Sequence, residues 1–75
     1  MLLPMPSLPI VSGAQAVKAL EKSGFKFIRQ KGSHIIMRRG QAVCVVPNHR
    51  ELKLGTLTGI LKQAGVGTEE FILNV

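Results

Sequence analysis

The sequence predicts an α+β fold, in the chain order α-β-β-β-α with a short helix at the C-terminal end. Three observations carry this expectation. A capped stretch with helical spacing opens at residue 12, three short strand-like runs separated by glycines follow between residues 25 and 46, and helical spacing returns between residues 56 and 64. Three consecutive strands make an antiparallel meander whose apolar face must be covered, and two helices on one side of the sheet do that.

Residues 1–11 read as an extended lead-in, because Pro4, Pro6 and Pro9 have no amide hydrogen to give to a ladder or a helix interior. Residues 12–75 form a single domain. Ser12 and Gln15 have the spacing of a capping box, so the first helix starts there. Ala16, Val17 and Leu20 make its apolar stripe, Lys18, Glu21 and Lys22 face water, and Gly24 is a left-handed stop.

The strands are expected at Phe25–Lys31, Ser33–Arg38 and Ala42–Val46, with turns at Gly32 and in "RRGQ". Pro47 ends the third, and "NHRE" is a loop. The second helix runs from about Thr56 to Ala64, where Leu57, Ile60, Leu61 and Ala64 follow helical spacing. Gly59 inside it costs about 1 kcal/mol relative to alanine, so close packing is expected at that point. Gly65 stops this helix, and Thr68 caps a last short turn. Glu69 and Glu70 suit the positive end of that turn, and Phe71, Ile72 and Leu73 pack on the body. This order of elements is the layout of double-stranded-RNA-binding domains, a likeness of fold that does not by itself fix function.

Size and composition narrow the function classes. A chain of 75 residues buries only about 60% of its unfolded surface, so the core is thin and any active site lies on a sheet face or a loop. The apolar fraction of 45% excludes a disordered basic tail. No apolar run approaches the ~20 residues that span a bilayer, and the proline-broken start lacks the basic flank of a signal peptide. A lone cysteine, Cys44, in an apolar strand reads as a small core hydrophobe, which fits a reducing cytoplasm. Ten Lys and Arg against four Glu give a net charge of +6, and all four acids lie outside residues 22–50. That basic segment suits a polyanion or an acidic protein partner; a merely soluble basic surface is the plain alternative.

The segment "RQKGSHIIMRRG" holds the candidate chemistry. An imidazole is the side chain suited to taking or giving a proton under cellular conditions, so His34 is the sharpest candidate. On a strand, His34, Ile36 and Arg38 share one face, and Ser33, Ile35, Met37 and Arg39 the other. Both faces carry apolar groups, so parity leaves open which one is wet. Metal-free cleavage of RNA needs a base for the 2′-hydroxyl, positive charge around the phosphorus and an acid for the leaving 5′-oxygen. His34 can serve as base or acid, and Arg29, Lys31, Arg38 and Arg39 can supply charge. A solvated hairpin, charged to discourage edge-to-edge association, is the competing reading. Gly32 and Ser33 form a turn that can approach a phosphate. His49 in "PNHRE" is a loop histidine, a phosphate contact or a second proton-transfer group. His34, Cys44 and His49 lack the paired spacings of a structural zinc site, and no nucleotide-binding glycine motif is present. No metal or cofactor is therefore expected.

Two stretches, "SGAQAVKALEKSGFKFIRQKGSHIIMRRG" and "VCVVPNHRELKLGTLTGILKQAGVGTEEFI", resemble the HicA family of bacterial and archaeal toxins. The likeness covers residues 8–73, and its most specific elements are "RQKGSH", "VPNH", "GTL" and "ILKQAG" in that order. The resemblance implies an mRNA interferase of double-stranded-RNA-binding-like fold, acting independently of the ribosome. It implies that His34 of the G-S-H motif is catalytic, with Gly32 and Ser33 matching and His49 having a counterpart of unassigned role. It also implies a HicB antitoxin that covers the site; members of the family commonly begin just before a segment like "LPIVSG", so Met1 is either a misassigned start or the head of a short tail. Two other functions use the same residues: a non-catalytic RNA-binding module, which would bind without cleaving, and an interaction protein for an acidic partner, which would have negligible RNA affinity at low salt.

Overall fold

The computed structural model of the protein describes residues 8–75; the expected lead-in up to residue 7, with Pro4, Met5 and Pro6, lies outside them. The order is α1 (Gly13–Lys22), β1 (Lys26–Lys31), β2 (His34–Arg39), β3 (Ala42–Pro47), α2 (Leu54–Ala64) and α3 (Thr68–Asn74). The strands form one antiparallel sheet in the order β1-β2-β3. This is the expected α+β architecture.

Helix α1 begins at the expected capping box. Ser12 Oγ accepts from the Gln15 amide at 3.0 Å, and Gln15 Oε1 accepts from the Ser12 amide at 2.8 Å. Such a cap stabilises a helix by about 1 kcal/mol. Helix α2 starts two residues earlier than expected, with Lys53 at its N-cap and no side-chain capping bond, and it stops at left-handed Gly65.

Both hairpins have two-residue loops, Gly32–Ser33 and Gly40–Gln41. Their glycines have φ of 60° and 58°, and no described non-glycine residue has positive φ. A glycine at the first central position is the pattern of a type II′ turn, whose twist matches that of the flanking strands. In each turn a side chain two residues upstream donates to the glycine carbonyl: Gln30 to Gly32 at 2.9 Å and Arg38 to Gly40 at 2.8 Å.

The core lies between the sheet and the helices. Ile35, Met37, Cys44 and Val46 meet Ala16, Ala19 and Leu20 of α1 and Leu57, Ile60, Leu61 and Ala64 of α2. Phe71 of α3 and Phe25 ahead of β1 complete the far end. Helix α2 lies mainly over β3 and α3 packs on α1, so β1 stays an uncovered edge, with all six of its residues exposed. No helix among the described residues is long and apolar enough to cross a membrane.

Three expectations for the helices fail. A Cβ on Gly59 would meet nothing within 4 Å, so this glycine faces open space rather than a close neighbour. The N-cap of α3 is Gly67, not Thr68, which is already helical and makes no capping bond. Leu73 is 84% exposed: α3 is too short to turn more than Phe71 fully inward.

Candidate functional site

The ladder settles which face of the sheet is wet. Ile35 and Met37 are buried against the helices, whereas His34 and Arg38 are exposed and Ile36 is half-buried. Residues opposite one another on a ladder share a face. The open face therefore gathers Lys26, Arg29 and Lys31 of β1, paired with Arg38, Ile36 and His34 of β2. On the other side β2 meets Val43, Val45 and Pro47 of β3. Cations line the free edge, His34 stands at one end of the middle strand, and aliphatic side chains line the far strand.

A β-bulge makes this grouping possible. Alternation alone would put Lys26 on the opposite face from Arg29 and Lys31. The register shifts between Phe27 and Arg29, leaving Ile28 without a partner, and the extra residue brings all three cations to one side.

Arg39 lies elsewhere. Its guanidinium is on the helix side, where Nη1 donates to the Ser23 carbonyl at 2.7 Å and reaches Glu70 Oε2 at 3.4 Å. It also lies 4.8 Å from the centre of the Phe25 ring. This arginine ties β2 to α1 and α3 and is not grouped with His34.

The loop after β3 is pinned beside His34. The Asn48 amide donates to the carbonyl of Ser33 at 2.6 Å, and the Gly13 amide donates to that of His49 at 2.8 Å. Gly13 allows this approach: a Cβ there would collide with the Pro47 carbonyl oxygen and stand 2.9 Å from Asn48 Cα. Pro47, His49, Glu51, Leu52, Lys53 and Thr56 line a shallow depression of about 350 Å³. Pro47 is also the ladder partner of His34, so the depression lies at that end of the sheet.

Cys44 is buried on the covered face, and burial pushes its thiol up to about 11, so it stays protonated near neutrality. Among the described residues no three His, Cys, Asp or Glu side chains come together.

The chain matches the family model described as the HicA toxin of bacterial toxin–antitoxin systems, over residues 13–66. The chain belongs to the HicA toxin family. Comparison with curated proteins and with solved structures gives no significant match. The matched span of this HicA-family chain runs from the first residue of α1 past the end of α2 and includes both histidines, while α3 lies beyond it. Membership implies an antitoxin partner.

Of the residues singled out from sequence, Arg29, Lys31, His34 and Arg38 share the open face. Gly32 and Ser33 form the adjoining turn, and His49 lines the neighbouring depression. Sequence reasoning missed Lys26, because nothing in "KFIRQK" marks the bulge. It also missed Gly13, whose need for close packing shows only once the loop is in place.

Proposed function

We propose that this HicA-family chain is a metal-independent endoribonuclease that cleaves mRNA in the cytoplasm, and that a HicB-type antitoxin neutralises it by covering the open face of the sheet. One observation carries the reading. His34 is an exposed imidazole that shares a ladder step with Lys31, on a face with Arg29 and Arg38 and without a carboxylate on any of the three strands.

That combination suits cleavage by the RNA's own 2′-hydroxyl. His34 transfers a proton at the reacting phosphate, and nearby cations stabilise the charge that develops on its oxygens. Lys31 is the nearest cation along the ladder, since directly paired residues have Cα atoms about 5 Å apart. Arg38 lies four residues farther along β2, about 13 Å away, and so holds the RNA backbone away from the reacting group. A face without carboxylates has no anionic ligands to hold a divalent cation. The charge that favours RNA also favours an acidic antitoxin.

The test is cleavage of a defined RNA by the purified protein in EDTA, with mapping of the ends. The expected products are a 2′,3′-cyclic phosphate, or its 3′-phosphate, and a 5′-hydroxyl. DNA should remain intact because it lacks the nucleophile. His34→Ala should lower the rate on the order of 10²-fold or more with the fold retained. Cleavage that requires magnesium and leaves a 3′-hydroxyl would overturn the mechanism. RNA binding without cleavage would favour a binding module.

A further inference from the structure

We infer that His49 is the second proton-transfer group of this site. It is the acid that protonates the leaving 5′-oxygen, while His34 is the base that takes the proton of the 2′-hydroxyl. The inference rests on the ribonuclease reading above.

Strand cleavage moves two protons, and a single imidazole cannot stand on both sides of the phosphorus. The chain has two histidines. They lie far apart in sequence, yet two features bring them together. Pro47 pairs with His34 on the ladder, and His49 follows two residues later. The step across the ladder and two residues of chain separate the two Cα atoms by at most about 12 Å. Two long side chains can flank one phosphodiester across that gap. The second feature is the depression lined by Pro47 and His49, at the end of the sheet where Pro47 pairs with His34, which offers room for the nucleotide on the leaving side.

A loop histidine with only a surface role has no need of a fixed position. This one is held on both sides, by Asn48 on Ser33 and by Gly13 on its own carbonyl. Its side chain is exposed and is in none of the side-chain hydrogen bonds among the described residues. Position divides the roles: His34 stands on the open face one ladder step from Lys31, whereas His49 lines the depression that takes the leaving nucleotide.

In the step itself, the 2′-oxygen forms a bond to phosphorus as its proton passes to His34. The bond from phosphorus to the 5′-oxygen breaks as that oxygen takes a proton from His49. A 2′,3′-cyclic phosphate and a 5′-hydroxyl result, and exchange with water restores both imidazoles.

The experiment compares an RNA with a matched RNA in which sulfur replaces the bridging 5′-oxygen at the cleavage site, both in EDTA. A thiolate leaves without an acid. His49→Gln should cleave the oxygen substrate on the order of 10²-fold more slowly, with KM little changed, and the sulfur substrate at the wild-type rate. His34→Ala should be slow on both substrates. Circular dichroism should show both variants folded. Normal cleavage of the oxygen substrate by His49→Gln would overturn the assignment and leave the ribonuclease reading standing. Equal slowing on both substrates would also overturn it, making His49 a contact rather than the acid. Wild-type protein that cleaves neither substrate would overturn the ribonuclease reading, and this assignment with it.

Discussion

Arg38 and Arg39 are neighbours in sequence and sit on opposite faces of β2. Arg39 is enclosed by a carbonyl, a carboxylate and an aromatic ring, and it joins three elements. Arg38 spends one nitrogen on a turn carbonyl and faces the open side of the sheet with Lys26 across the ladder. The same contrast runs along the strand: Ile35 and Met37 pack against the helices, while His34 and Ile36 lie on the open side. Two faces of similar composition thus do different work. The covered face supplies stability, and the open one holds few bonds within the fold.

The largest test of this contrast is a pair of truncations. Met37→Ala removes a fully buried side chain and should destabilise the fold by about 2–5 kcal/mol, a large share of what a domain this small possesses. Ile36→Ala, one residue away, should cost less than about 1.5 kcal/mol because its site is only half-buried. Urea denaturation of both variants decides it, and equal losses would break the distinction between the faces.

A smaller effect is expected on β3. Cys44→Ser places a hydroxyl in an apolar core and should cost about 1–3 kcal/mol. Val45→Thr on the open face should stay within about 0.5 kcal/mol. A thermal melt that shifts Val45→Thr as far as Cys44→Ser would count against an open face.

The smallest effects separate the two arginines. Arg39→Gln should lower stability by up to about 1 kcal/mol, since its ion pair is partly exposed, and should leave the salt dependence of RNA binding unchanged. Arg38→Gln should leave stability unchanged and reduce that salt slope by about 0.7 log unit per log of salt, the share of one phosphate on a single strand. Titrations at several salt concentrations would read both, and a slope lost from Arg39→Gln instead would reverse the assignment.

How far the sequence foretold this depends on the range of the forces involved. The start of α1 was readable because a capping box is contained in four residues, Ser12 to Gln15. The hairpin turns were readable because Gly32 and Gly40 stand where positive φ is required. The wet side of β2 was not, since isoleucine or methionine occurs on both sides and only the helices decide which side is covered. The grouping of Lys26 with Arg29 and Lys31 depends on a bulge that Ile28 does not announce. The separation of Arg39 from the other cations depends on Ser23 and Glu70, distant in sequence from it and from each other.

The contact at Gly13 has a consequence for motion. A surface loop ordinarily opens at little cost in free energy, independently of the elements it joins. Here the loop of Asn48 and His49 rests against the backbone of α1, with no side chain between them to act as a cushion. Lifting the loop breaks a bond from the first residue of that helix, so its opening draws on the cooperativity of the helix itself. The segment that carries His49 thus fluctuates with the body of the protein rather than with its periphery.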